Sequence, residues 1–330
     1  MNFFNINNYL KLERHKKIEI LPERVESFFK YTEPYQGPES TNKIIGKVWE
    51  NVFDKFGTNI FDLIYKKEIY KISKAYEDYY VNGISDGACA GKGLEKIRKK
   101  IQYSRRNFSR LKSLAKHLEL QHNNRNFFEK DNFILLNKII SKFHISDKLY
   151  EGQAWTWEID EKKIHAEIFD HIYFADILIK LSEIYEWEDF TFLGDGSGIL
   201  SSLIINNQIK DANYKFIDIV HFLFKQFLTN FDEEKTSFYL AENFSYENFP
   251  FSRVLVNQDS FPEINDQGLK NYFNLIKSSK IDYVASYNQE LYVDNHTNFR
   301  KMLFESGMKS LIRFESTMRK NYFIEIFKRF

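Results

Sequence analysis

Three glycines, Gly194, Gly196 and Gly198, alternate with Asp195 and Ser197 directly behind the apolar run Phe190 to Leu193. Glycine lacks a Cβ, so a turn of this composition can take positive φ and admit a ligand to the main chain. Ile199, Leu200, Leu203, Ile204 and Ile205 then recur at helical spacing, and the amides that open such a helix point toward whatever the turn holds. Asp218 stands 20 residues after Gly198 and ends the apolar run Tyr214 to Ile217. A carboxylate there can accept hydrogen bonds from both hydroxyls of a ribose. Turn and carboxylate together are chemistry for a nucleoside-bearing ligand. An ordinary glycine-rich turn is the plainer alternative.

The spacing of Asp218 suits NAD and S-adenosylmethionine alike, but the glycines do not. A dinucleotide turn needs Gly-x-Gly-x-x-Gly, and its last place falls on Ile199 or Ser201 here. The run Gly-x-Gly-x-Gly suits S-adenosylmethionine, which has no phosphate and needs only close backbone approach at its methionine end. The expected cofactor contacts are therefore Gly194, Asp195, Gly196, Ser197, Gly198, Asp218 and Asn257.

Methylating a hydroxyl requires oxygen, methyl carbon and sulfur in line and the removal of one proton. Asp259 and Glu263 are the preferred carboxylates for acceptor binding, proton removal or metal ligation, and His296 is the preferred histidine base. A divalent metal that lowers the hydroxyl pKa would serve as well. The plainer readings are a turn aspartate, a helix-initiating glutamate and an exposed loop histidine. His165 and His171, beside Glu167 and Asp170, fit either a metal group or a solvated helix face, and His221, three residues after Asp218, a place near an adenine or an amphipathic helix position. Lys92 to Lys116, with Tyr103 and Phe108, fits an acidic acceptor or a solvated face. Trp155 and Trp157 fit a sugar face or the core.

These groups need elements to carry them. After Glu186, short β-rich runs alternate with helical ones, with strands expected at about 190–194, 214–219, 237–241, 252–257, 281–286, 309–314 and 321–327. The last two are joined by a polar link too short for a helical crossover, so they form an antiparallel hairpin. Residues 1–180 read as mainly helical, with helices at Ile44 to Phe56, Ile60 to Tyr80 and Leu94 to Leu118, and strand-like alternation is scarce there. Turn formers mark loops at Glu33 to Pro38 and Asn82 to Gly87. The basic residues of Lys92 to Lys116 and the acidic ones of Glu151 to Asp189 could pair, within one chain or between subunits.

A parallel sheet closed by an antiparallel hairpin is the plan of the class I S-adenosylmethionine-dependent methyltransferases. From about Lys163 to Asn288 the chain resembles the bacterial sugar O-methyltransferases. The matching stretches are Phe-Leu-Gly-Asp-Gly-Ser-Gly at 192–198, Ile-Asp-Ile at 217–219, Val-Leu-Val-Asn-Gln-Asp-Ser-Phe-Pro-Glu-Ile at 254–264 and Asp-Tyr-Val-Ala-Ser-Tyr-Asn at 282–288. That family usually carries Glu two places before its first glycine, where this chain has Phe192; Asp195 is the candidate replacement. The resemblance implies a seven-stranded Rossmann-like α/β sheet at 181–330 that binds S-adenosylmethionine. It also implies methylation of a sugar hydroxyl in capsule, lipopolysaccharide or secondary-metabolite synthesis. Residues 1–180 would then bind the acceptor or form a homo-oligomer.

Composition sets the outer bounds. The 330 residues are 43% hydrophobic and 17% aromatic, enough for a substantial core. Lys and Arg number 47 against 46 Asp and Glu, a balance that argues against a dedicated nucleic-acid binder. The single cysteine, Cys89, excludes an intrachain disulfide. No run reaches membrane-spanning length and Met1 to Tyr9 lacks a charged, then apolar, leader, so the expected location is the cytoplasm. Two rivals remain: another enzyme on the same sheet, with a different small-molecule acceptor or with NAD, and a non-catalytic methyltransferase-like scaffold, with Phe192 marking a lost contact.

Overall fold

The computed structural model describes residues 11–13, 19–46, 59–77, 105–120, 129–146, 149, 156–159, 162–164, 168–207, 211–243, 252–289 and 299–330. A small antiparallel sheet joins β1 (Lys11–Glu13), β2 (Thr156–Ile159) and β3 (Lys162–Ile164). The large sheet holds β4 (Asp189–Leu193), β5 (Asn213–Asp218), β6 (Thr236–Leu240), β7 (Val254–Gln258), β8 (Tyr283–Gln289), β9 (Met308–Glu315) and β10 (Tyr322–Arg329). Its order is β6-β5-β4-β7-β8-β10-β9, with β4 to β8 parallel and β10 antiparallel to both neighbours. This α/β architecture, a Rossmann-like sheet closed by an antiparallel hairpin and preceded by helices, is the methyltransferase plan expected from the sequence. All seven expected strands form within a few residues of their expected places.

Strand texture follows position in the sheet. The central strands β7 and β8 are buried almost throughout; each opens on apolar or small residues and ends in a polar pair, Asn257-Gln258 and Asn288-Gln289. The edge strand β6 alternates buried and open positions. On one face an aromatic ladder crosses the strands: Phe190 and Phe192 on β4, Phe216 on β5 and Phe238 on β6, with ring centroids 6.2, 5.7 and 4.8 Å apart. Phe192, at the family's usual glutamate position, is a core residue of this ladder and is 1% exposed.

The helices are α1 (Pro22–Tyr31), α2 (Pro38–Asn42), α3 (Asn59–Tyr65), α4 (Ile69–Glu77), α5 (Arg105–His117), α6 (Glu129–Lys142), α7 (Ile168–Tyr185), α8 (Ile199–Asn207), α9 (Val220–Asn230), α10 (Asp266–Ser278) and α11 (Phe299–Glu305). α9 is buried along its whole length. It packs on β5 and β6, and α1 and α3 pack against it in turn. Polar pins fix this cover: Tyr76 Oη donates to the His221 carbonyl at 2.6 Å, and Arg24 Nη2 to the Leu228 carbonyl at 2.5 Å. α7 packs along α8 and carries the chain from the N-terminal helices into the sheet.

Three sequence expectations are corrected. Ile44 does not open a helix: residues 43–46 form a turn and a strap in which Ile45 bridges Ile264 and the Gly46 amide donates to the Glu263 carbonyl at 2.9 Å. The helix expected over Ile60 to Tyr80 is two helices, α3 and α4, broken where Lys67 takes φ 52°. The N-terminal region also contains the three strands of the small sheet, too short to show alternation. The loop at Asn82 to Gly87, Cys89, residues 47–58 and 94–104 lie outside the described residues. The basic and acidic blocks do pair within the chain, with Arg110 Nη2 on α5 3.3 Å from Asp170 Oδ2 on α7.

Candidate cofactor and acceptor cleft

The order of the large sheet reverses at β4, which has β5 on one side and β7 on the other. Helical connections diverge there, and a crevice opens at the carboxyl ends of the strands. An open cleft of about 1010 Å³, including its mouth, occupies this position. Leu193 to Ser197 form its floor, and Ile217 to Ile219 with Phe222 form one wall. The strap residues Ile44 and Ile45, with Glu263, Ile264 and Tyr272, form another. Gln258, Asp259, Ser260 and His171 also line it, with Ser260 against Gly194.

The glycine turn has the backbone expected of it, with φ of 70° at Gly194, 56° at Gly196 and 76° at Gly198. The cleared space goes partly to the protein itself. A Cβ at Gly194 would fall inside the envelope of Ser260 Oγ and Cβ, and one at Gly198 would lie 2.9 Å from Asn230 Nδ2. Gly194 and Gly198 therefore let the β7 loop and α9 close against the turn.

Asp218 ends β5 and reaches back to the turn. Its Oδ2 accepts from the Gly196 amide at 3.0 Å and from Gln226 Nε2 at 2.6 Å, and its Oδ1 accepts from the Ile219 amide at 2.8 Å. Burial, with a further push from nearby Asp195, raises its pKa to about 8 against the pull of these donors. Asp195 turns to α8 and accepts from the Ser201 amide at 3.0 Å, and burial raises it to about 7. Below Asp218, burial also raises Glu242 to about 7; it accepts from Thr41 Oγ1 at 2.8 Å and from the Val220 amide at 3.0 Å.

Asn257 is 1% exposed and is not among the cleft-lining residues. It ties three strands together. Its Nδ2 donates to the Leu193 carbonyl at 2.9 Å, and its Oδ1 accepts from the Phe261 amide at 3.1 Å and Asn288 Nδ2 at 2.9 Å. Ser197 and Gln258 do line the cleft, and both present a buried oxygen, Oγ and Oε1, with no hydrogen-bond partner among the described residues. Buried polar atoms are normally satisfied, so these two mark where a bound ligand's polar groups fit.

In the loop after β7, Asp259 takes φ 59° and pairs with Arg319 Nη1. Arg319 comes from the β9–β10 link. It stacks 3.5 Å over the Tyr322 ring and lies 3.8 Å from Asp170 Oδ2. Nothing in the sequence marked that arginine, because a polar hairpin link looks like solvated surface. Glu263 sits in a 3-10 turn, Phe261–Glu263, rather than at a helix start; α10 is capped by Asn265, whose Oδ1 accepts from the Gly268 amide at 2.8 Å. Tyr272 was likewise missed, since a tyrosine on an amphipathic helix reads as core.

The histidines divide clearly. His171, placed by its acidic neighbours on a metal group or solvated face, lines the cleft. His221 is 1% exposed against the Phe61 and Phe222 rings, and burial pushes its pKa down to about 3. His296, His165, Trp155 and Tyr103 lie outside the described residues. Among the described residues no group of three or more His, Cys, Asp or Glu could hold a metal ion. No helix among them is long and apolar enough to cross a membrane.

No protein-family model and no curated protein sequence matches the chain. Among solved structures it is similar to the pyocyanin biosynthetic protein PhzM, at 11% identity and TM-score 0.37 over 50% of this chain and 58% of that one. It is also similar to the magnesium protoporphyrin IX methyltransferase of Synechocystis PCC 6803 with bound SAM, at 11% identity and TM-score 0.38 over 71% and 96%. The Methanococcus jannaschii fibrillarin pre-rRNA processing protein aligns at 11% identity and TM-score 0.35 over 43% and 66%.

Proposed function

We propose that the chain is an S-adenosylmethionine-dependent O-methyltransferase whose acceptor is a sugar hydroxyl. The observation that carries the cofactor assignment is Asp218, delivered by β5 into the cleft and hydrogen-bonded to the glycine turn at Gly196. In this reading Asp218 receives the ribose hydroxyls, and the main chain of Gly194 to Gly198 receives the methionine end, with Ser197 Oγ as a further contact. Asp195 acts by capping α8, and Asn257 by fixing the carbonyl of Leu193. When bound, the cofactor supplies an electrophilic methyl group on a sulfonium. Asp259 and Glu263 face the acceptor end and orient its hydroxyl; sugar as the class rests on the sequence resemblance. Residues 1–180 cover that end, as the strap and α7 support.

Calorimetric titration with S-adenosylmethionine, its demethylated product and NAD tests this assignment. Tight NAD binding with no response to the other two would overturn it. A second reading, a methyltransferase-like scaffold, draws on one observation: both oxygens of Asp218 are already engaged inside the protein, and Phe192 is committed to the core. Gly196→Trp separates the two, because unchanged biological activity in that variant favours the scaffold.

A further inference from the structure

Gln258, 7% exposed, and Ser197, 3% exposed, each hold a buried oxygen, Oε1 and Oγ, that has no hydrogen-bond partner among the described residues. Both residues line the cleft. A buried polar atom left unbonded costs more than its bond would gain, so such a pair inside a cleft marks a place that a ligand completes. An amide oxygen can only accept. The ligand group that meets Gln258 Oε1 must therefore be a donor.

Strand register places that donor. β4 pairs with β5 at Leu193 and Ile217, and with β7 at Phe192 and Val256. Carried one and two residues further, the register sets Asp218, Gly194 and Gln258 level across three adjacent strands, and level positions of a parallel sheet share a face. Neighbouring strands lie about 4.8 Å apart, so the ends of β5 and β7 are separated by roughly 10 Å. Asp218 thus stands on one side of the glycine turn and Gln258 on the other, with Ser260 against Gly194 between them. The β5 side also carries Ile219 and Phe222, apolar surface that suits the faces of a purine. A nucleoside whose ribose meets Asp218 and whose base lies on that wall sends its 5′ substituent across the turn toward β7.

Resting on the reading that the cleft binds S-adenosylmethionine, we propose that Gln258 recognises the ammonium of the cofactor's amino-acid end through Oε1. That ammonium is the one hydrogen-bond donor this end of the molecule carries. Ser197, on the turn itself, offers its hydroxyl to the same end. The contact is made equally to the cofactor and to its demethylated product, so it contributes to holding the ligand and not to moving the methyl group.

The test needs no methyl acceptor. Calorimetry on the full chain measures Kd for the demethylated product and for the same molecule with hydrogen in place of its amino group. A hydrogen bond to a charged group makes the parent prefer the amino compound by about 10-fold or more. Gln258→Met keeps the length of the side chain and removes the acceptor, so the preference should fall to about threefold or less. Gln258→Glu puts a charged acceptor in the same place and should keep or widen it. Gln258→Leu stands in for Gln258→Met should that variant fail to fold in thermal melts. A preference in the apolar variant equal to the parent's, a narrowed one in Gln258→Glu, or none in the parent overturns the assignment and leaves the cofactor reading standing. Failure of the demethylated product to bind the parent overturns both.

Discussion

Gly194→Ala tests whether the turn is glycine-rich for the protein's own packing. The new methyl would sit inside the envelope of Ser260 Oγ and Cβ, with the Ser260 Cα at 3.8 Å. A rotamer change moves Oγ but not Cβ, so the loop after β7 must shift, and overpacking of this kind costs typically about 1–3 kcal/mol. The φ of 70° adds on the order of 1 kcal/mol for a residue with a Cβ. The sum is roughly 2–4 kcal/mol, read as a lowered midpoint in urea at unchanged slope. Ser260→Gly removes both clashing atoms. The double variant therefore recovers the overpacking part and keeps about 1 kcal/mol of backbone strain. A single variant within about 0.5 kcal/mol of the parent, or a double no more stable than the single, would refute the packing account.

Further predictions follow from the same geometry. Asp218, Asp195 and Glu242 have pKa values of about 8, 7 and 7 in the fold, above their ordinary 3.8, 3.8 and 4.5. The folded state thus holds protons that the unfolded chain releases. Their contribution is complete below about pH 4 and is lost as pH rises through about 8. Thermal melts from pH 5 to 9 should show this decline, flattened in Asp218→Asn; a parent no steeper than the variant would count against it. Arg319→Met removes the cation paired with Asp259 and one of the two arginines beside Asp170, and should destabilise by about 1–3 kcal/mol in denaturant titration. A change below about 0.5 kcal/mol would show that the pair is solvated. Phe192→Glu, which restores the acidic residue usual in the resembled family, places a carboxylate between Phe190 and Phe216 and should abolish cooperative unfolding; Phe192→Leu should cost only about 1–2 kcal/mol. A well-folded Phe192→Glu by circular dichroism would contradict that burial.

Much of the sheet was legible because its strands are apolar runs bounded by turn formers, and because a short polar link between two strands admits only a hairpin. Gly194 to Gly198 and Asp218 were legible for a related reason. Positive φ selects glycine, and the carboxyl end of the second parallel strand is a fixed distance along the chain. The helices before α7 were less so: a regular apolar spacing from Ile60 to Tyr80 gives no sign that Lys67 will turn the chain. Nor does a pattern from Ile44 onward reveal that Ile45 will pair with Ile264, 219 residues away.

What the sequence determined by itself was the succession of strands in the large sheet, the glycine turn and the carboxylate opposite it, since local sterics and hydrophobic period act over a few residues. Tertiary structure alone decided what those groups face. It gave the space cleared at Gly194 to Ser260, turned Asp195 into a helix cap, buried Phe192 in an aromatic ladder, brought His171 to the cleft and set Arg319 against Asp259 and Asp170. Those are contacts between residues far apart in the chain, and only the packing of α7, the strap and the hairpin against the sheet fixes them.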